Sequence, residues 1–291
     1  MKLSFVIPAH NEEKIIGKCL EAILRERKGH EADVEVIVVN NASSDGTHVA
    51  AAAYPGVTVV DEEKKGIVWA RRAGYLASHG ELIANVDADN ILTPGWIDRV
   101  LSEFNKNPKL VTLSGPFIYY DLPKLTRFFT RLFQYISFIT YLLNRFIFHV
   151  GSVVQGGNFV VRRSALEKIG GYDTSISFYG EDTDIARRMN KVGEVKYTFR
   201  LPIYSSGRRL ANEGALTTGL RYGLNYFWMT FFKKPLNKKY SDLRPEDGGD
   251  RLAYKPESRL REWALGILVA AITLGILAGI AYGVYILIIR V

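Results

Sequence analysis

The sequence predicts an α/β fold built on a largely parallel sheet with helices on both faces. Three observations predict it. Short apolar runs alternate with helical patterns through the first half of the chain. The runs read as strands buried on both faces, as a parallel sheet covered by helices requires. One of them, Leu82–Val86, leads directly into Asp87-Ala88-Asp89, placing two carboxylates one residue apart at the carboxyl edge of the sheet. That edge is where open α/β folds bind ligands.

The expected strands are Leu3–Pro8, Val34–Asn40, Val57–Asp61, Leu82–Val86 and Leu110–Ser114. Asn11 is positioned to cap a helix over Glu12–Leu24, with Glu12 and Glu13 in the first turn, where the helix dipole favours negative charge. Further helices are expected over Thr47–Ala53, Val68–Ser78 and Pro94–Asn105, the last opening on proline. Asp182–Asn190 reads as a helix too, and at its start Asp182 has the ordinary reading of a cap.

The second half changes character. From Leu122 through Leu166 there is no Asp or Glu, while Lys124, Arg127, Arg131, Arg145, Arg162 and Arg163 are present. Leu132–Asn144 is uncharged but only 13 residues long, too short as a helix to cross a bilayer. Its rings, with those of Tyr222–Phe232 before Lys233 and Lys234, suit a membrane headgroup boundary; buried core is the ordinary alternative. Trp263–Ile289, 27 residues without a charge, is long enough to span a bilayer. Arg244, Arg251, Lys255, Arg259 and Arg261 precede it and only Arg290 follows, so the positive-inside bias places the large amino-terminal part in the cytoplasm. Gly275, Gly279 and Gly283 give that helix a small-residue face able to support a homodimer. The expected organisation is a domain over 1–235 with interfacial helices in 122–150 and 220–234, a basic linker over 236–262 and a transmembrane anchor over 263–289.

The formal charge of +8 points to an anionic partner: nucleotide, bilayer or nucleic acid. Nucleic acid is disfavoured, because the basic residues accompany apolar helices and no reading motif. The single Cys19 excludes an internal disulfide and reads as a small core residue. The loops after the strands carry Pro8-Ala9-His10-Asn11-Glu12-Glu13, Asn40-Asn41-Ala42-Ser43-Ser44-Asp45-Gly46-Thr47 and the Asp pair; Lys65-Gly66 and Arg71-Arg72 lie before the fourth strand. Each alone is good turn chemistry. Together they form a polar ligand edge, with carboxylates suited to Mg²⁺ or Mn²⁺ carrying a diphosphate. Neither a dinucleotide fingerprint nor a Walker-type lysine loop is present.

These pieces, with Gly156-Gly157-Asn158, Gly170-Gly171-Tyr172-Asp173 and Gly180-Glu181-Asp182, resemble in order the family 2 glycosyltransferases of the Rossmann-like GT-A fold, over roughly residues 3–210. The resemblance implies inverting transfer from a nucleotide-sugar. It implies that Pro8, His10 and Glu12 line the nucleotide pocket, that Asn41 faces the base, and that Arg71 approaches the nucleotide or its diphosphate. Asp87 would contact the ribose side and Asp89 would hold the divalent cation. Asp182, with Glu181 beside it, falls at the catalytic-base position. Gly157, Asn158, Arg208 and Arg209 are assigned to the acceptor or phosphate side. Asn40-Asn41 replaces the Asp-Asp common in the family, leaving the base open. Gly207-Arg208-Arg209 stands where processive synthases carry Gln-x-x-Arg-Trp, which favours single-sugar transfer to a lipid-linked or membrane-proximal acceptor. A catalytically silent sugar-nucleotide-binding or scaffolding protein is the alternative; the presence of both Asp89 and Asp182 speaks against it.

Overall fold

A computed structural model describes residues 2–148 and 153–236. The expected linker from 237 onward, the anchor over 263–289 and its glycine face lie outside the described residues. Among the described residues, no helix is long and apolar enough to cross a membrane.

The large sheet has the order β3-β2-β1-β4-β8-β6-β9. Its strands are β1 (Leu3–Ala9), β2 (Val34–Asn41), β3 (Val57–Glu62), β4 (Leu82–Val86), β6 (Leu110–Ser114), β8 (Asn158–Arg162) and β9 (Glu194–Tyr197). All run the same way except β8, which pairs antiparallel with both β4 and β6. The five expected strands are therefore β1, β2, β3, β4 and β6, and the mostly parallel sheet is confirmed. The strand β8 was not expected. Its orientation is set by pairing with distant segments, which local periodicity does not encode. The first helical crossovers are α1 (Ile16–Arg27), α2 (Thr47–Ala52), α3 (Ile67–Ala77) and α4 (Trp96–Lys106).

Period-two alternation along β1 divides the core. Phe5 and Ile7 face a cluster with Ile16, Leu20, Trp96, Val100 and Phe104 from α1 and α4. Val6 faces the other cluster, with Val68 and Ala70 of α3 and with Phe159 and Ile185. Phe5 and Trp96 meet with ring centroids 5.6 Å apart. On the α3 side the close approach depends on Gly74: a Cβ there would lie 2.3 Å from Val6 Cγ1 and 3.0 Å from Val39 Cγ2.

A small second sheet, β5 (Ile91–Leu92), β10 (Ile203–Ser205) and β7 (Phe117–Tyr119), joins at the carboxyl edge of the first. Helices α5 (Lys124–Leu143), α6 (Arg163–Lys168), α7 (Glu181–Met189), α8 (Arg208–Glu213) and α9 (Ala215–Phe232) complete the described fold. A π-helical turn over Asn144–Phe148 follows α5.

Three expected helix starts are corrected. The first helix opens at Ile16, not Glu12, because Asn11 sits at φ +52° and is drawn sideways to Ser43 and Ser44 instead of capping. The fourth opens at Trp96, after left-handed Gly95. Left-handed Gly180 stands at the cap of α7, so Asp182 lies inside the first turn and is not the cap. The uncharged Leu132–Asn144 segment is the second half of a longer helix that also carries Lys124, Arg127 and Arg131.

Substituting Gly74→Ala drives a methyl group into a filled interface. It is expected to lower stability by about 1–3 kcal/mol, read as a reduced urea midpoint; an unchanged midpoint would show that α3 can move off the sheet freely.

Candidate active site

Parallel strands end on one edge, and there Glu12, Asp87 and Asp89 stand with Glu181 and Asp182. The loop after β1 is stitched to the loop after β2. Asn11 Oδ1 accepts the Ser44 amide (2.9 Å), the Glu12 amide donates to Thr47 Oγ1 (2.8 Å), and the Glu13 amide donates to Asp45 Oδ2 (3.2 Å). Pro8 is buried within β1; the ladder to β4 ends at Val6, before the residue that lacks an amide donor. His10 Nδ1 lies 2.8 Å from the Asn41 carbonyl, so that nitrogen carries the proton and donates it.

Asn41 is placed differently from the expectation. Its amide donates to the carbonyls of Glu62 (3.1 Å) and Lys64 (2.8 Å), and its oxygen accepts the Gly66 amide (2.7 Å). Both donors are committed to main chain, so Asn41 shapes the strap over 62–66 instead of presenting an amide to a base. The strap carries Lys64 over the Trp69 ring, 4.3 Å from its centroid.

Two guanidiniums organise the carboxylates. Arg71, on α3 and only 1% exposed, bridges Asp87 Oδ1 (3.3 Å) and Glu181. Arg208, at the start of α8, bridges Glu12 Oε1 (2.8 Å) and Asp89 Oδ2 (3.1 Å). Burial would pull both arginines down, but their carboxylate pairs hold each well above its ordinary value. Arg71 thus sits beneath the site, tying the Asp87 turn to α7, and not on its open side.

Burial pushes the Glu181 carboxyl up to about 7; Arg71 opposes the shift and neighbouring Asp182 adds to it. Burial also raises Asp182, although the Thr183 amide (2.7 Å) and the Gly156 amide (3.3 Å) donate to its two oxygens. The Gly156-Gly157 turn fits between the two acidic groups because it lacks side chains. At Gly157, with φ +82°, a Cβ would lie 2.2 Å from Asp87 Oδ2. Asn158 is fully buried and donates to the carbonyls of Gly115 (3.0 Å) and Leu201 (2.9 Å), so it ties the two sheets together rather than facing a ligand. Arg209 pairs with Glu213 (3.3 Å) and lies over the Phe178 ring, away from the Arg208 bridge.

Sequence reasoning missed Asp121. Its Oδ1 accepts the Gly207 amide (2.6 Å) and its Oδ2 the Ser206 hydroxyl (2.5 Å), fixing the turn that delivers Arg208. The faint signal was an acid after a short aromatic run, Phe117-Ile118-Tyr119-Tyr120. Tyr226 on α9 was also missed: burial pushes its phenol up to about 12, with a contribution from the Asp182 charge.

In its folded environment Glu181 holds a proton that the unfolded chain releases near 4.5. Between 4.5 and about 7 the folded state binds more protons, so this group lowers stability as pH rises through that window. The stability of the native protein minus that of Glu181→Gln is expected to fall across the window and to be flat below it. Urea midpoints at a series of pH values measure this, and a pH-independent difference would contradict the burial of the charge.

Residues 4–170 match the sequence profile of glycosyl transferase family 2. The chain is 30% identical over 205 residues to "Probable glycosyltransferase YdaM" of Bacillus subtilis (strain 168), covering 66% of this chain and 47% of that protein. It is 28% identical over 196 residues to "Glycosyltransferase AglE" of Haloferax volcanii, covering 66% of this chain and 62% of the relative. The chain therefore spans about half the length of these curated relatives. A Haloferax volcanii "Glucosyl-dolichyl phosphate glucuronosyltransferase" is 23% identical over 266 residues, 87% of this chain and 82% of that one. The crystal structure of S. aureus TarS 1-349 superposes with a TM-score of 0.56 at 18% identity, covering 79% of this chain and 72% of that chain, a likeness of fold. TarS has also been solved in complex with UDP-GlcNAc, and that structure matches with a TM-score of 0.53 at 18% identity over 72% of this chain and 59% of that chain. With the sheet order, the carboxyl-edge site and a profile match over more than half its length, the chain belongs to glycosyl transferase family 2.

Proposed function

We propose that this chain transfers a single sugar, with inversion, from a nucleotide-sugar to a lipid-linked or membrane-proximal acceptor, held at the membrane from the cytoplasmic side by residues 263–289. The observation that carries the reading is the meeting at one sheet edge of five carboxylates, those of Glu12, Asp87, Asp89, Glu181 and Asp182, organised by the guanidiniums of Arg71 and Arg208. The TarS complex with UDP-GlcNAc supports a nucleotide-sugar donor for this fold. The dolichyl-phosphate-linked substrate in one relative's name supports a lipid-linked acceptor.

A nucleoside diphosphate is anionic, and an edge rich in carboxylates accepts it only with added positive charge. Among the described residues no three metal-ligating side chains cluster. Asp89 would be the residue to hold Mg²⁺ or Mn²⁺ here, since these ions commonly use only one or two carboxylates beside a bound diphosphate. Such an ion supplies Lewis-acid stabilisation of the charge developing on the departing diphosphate. Arg208 adds a guanidinium on the same side, suited to phosphate oxygens.

In the transfer, the acceptor oxygen forms a bond to the anomeric carbon while the bond to the diphosphate breaks, its electron pair leaving with the nucleotide. For a hydroxyl acceptor, Asp182 takes the proton; its raised pKa makes it a better base than an exposed aspartate. For a lipid phosphate the attacking oxygen is already anionic, and Asp182 orients the acceptor.

Two measurements test this reading in the full chain. Asp89→Asn should lower transfer from the best donor of a nucleotide-sugar panel by about 10²-fold or more while the chain keeps its fold by circular dichroism; full activity would refute the role. Arg208→Gln should bind Mn²⁺ several-fold more tightly in a spectroscopic titration without donor, because it removes a fixed cation competing for Asp89. Weaker Mn²⁺ binding would place the ion elsewhere.

A further inference from the structure

The helix α9 is amphipathic the wrong way round for a water-facing helix. It buries Thr218, Asn225 and Thr230 beside Met229, and exposes Leu220, Leu224, Phe227, Trp228, Phe231 and Phe232. The exposed set falls at i, i+4, i+7, i+8, i+11 and i+12, one continuous face. The helix α5 also exposes apolar side chains: Leu125, Phe128, Leu132, Tyr135 and Leu142 are exposed, Phe128 to 62%, while Thr126 and Tyr141 are buried. The two helices are neighbours, joined where Asn144 donates to the Tyr226 hydroxyl. Apolar exposure on this scale marks an interaction surface.

The charge around the stripes selects the partner. Lys124, Arg127 and Arg131 border the α5 face, and Lys233 and Lys234 close α9. Residues 122–166 and 214–241 contain no Asp or Glu. Aromatic side chains bordered by cations alone fit the headgroup boundary of an anionic bilayer, where ring edges face lipid and basic groups face phosphate. Chain continuity points the same way, since 30 residues after α9 comes the uncharged run of 27.

We propose that the exposed faces of α5 and α9 form a docking surface that seats the folded domain in the headgroup layer of an anionic bilayer, in addition to any span farther along the chain. The face lies close to the candidate chemistry. The helix α9 packs on α7, and Met229 stands against Gly180, next to Glu181 and Asp182. Seating α9 in the headgroups therefore brings that end of the site to the lipid surface, whichever acceptor is used.

The test uses the full chain reconstituted in phosphatidylcholine vesicles with and without phosphatidylglycerol. Cys19 is buried and is the only natural cysteine, so Phe128→Cys and Phe231→Cys each accept one environment-sensitive nitrobenzoxadiazole label. Val49→Cys on α2, 73% exposed on another surface, is the water-facing control. Labels at 128 and 231 should brighten several-fold and shift to the blue, more so with phosphatidylglycerol, and that increment should fall with added salt; the label at 49 should not respond. Water-like emission at 128 and 231 overturns the proposal. So does a shift that fades as the chain is diluted among vesicles, because it identifies a second copy as the occupant. Each variant is first checked for an unchanged thermal midpoint. The readout reports position and not sugar transfer, so its failure and a failure of the proposed activity are distinguishable.

Discussion

A guanidinium cannot remain in a protein interior without carboxylates to meet it, and Arg71 is the constraint on which this site rests. Removing either partner of such a buried pair costs about 3–5 kcal/mol, because the charge left behind is stranded. Arg71 is therefore held to Asp87 and Glu181 together. It ties the turn after β4, the body of α3 and the first turn of α7 into one assembly, although these segments lie far apart in sequence. Gly157 follows from the same requirement. The chain entering β8 must pass against Asp87, and a left-handed glycine is the residue that can. Asn158, one position on, fastens both sheets through three main-chain carbonyls, so the floor of the site cannot drift from the strands that carry it.

A second ion bridge performs the corresponding task on the open side. Arg208 reaches Glu12 and Asp89 from a turn that Asp121 clamps, and that turn is placed by the three short strands of the small sheet. The two arginines divide the carboxylates between them, and they differ in burial: Arg71 is enclosed, whereas Arg208 is partly open to solvent. The distinction is electrostatic. Arg71 is too buried to move toward a phosphate, whereas Arg208 stands at the start of a six-residue helix and shares its charge with the acid expected to take a cation.

Much of the fold was legible because it is local. The buried runs that became β1, β2, β3, β4 and β6 announce themselves by composition, and the carboxyl edge follows from their alternation with helices. What was not legible is non-local. The run Asn158–Arg162 has an apolar centre in Phe159-Val160-Val161, but its antiparallel direction is decided by β4 and β6. The amide of Asn41 could have served a base equally well; only the fold shows it spent on the carbonyls of Glu62 and Lys64. Asn11 has the composition of a helix cap and fails as one because Ser43 and Ser44, over 30 residues away, compete for it. Arg208 lies 119 residues from Asp89, and no spacing rule connects them.

Periodicity has a further blind spot, and α5 and α9 expose it. An amphipathic pattern tells that a helix has two faces, but not which one meets the protein. In α1 and α4 the apolar face turns inward and builds the core around Phe5 and Trp96. In α9 the polar side turns inward, where Asn225 donates to the Arg221 carbonyl, Thr230 to that of Tyr226, and Tyr226 receives Asn144. Internal bonds of this kind let polar residues tolerate burial and leave the apolar stripe for another solvent. The net charge of +8 is then not at odds with an acidic site. Five carboxylates meet at the sheet edge, while α5 and α9 carry cations and no acid, so an acidic edge and a basic flank coexist in one chain.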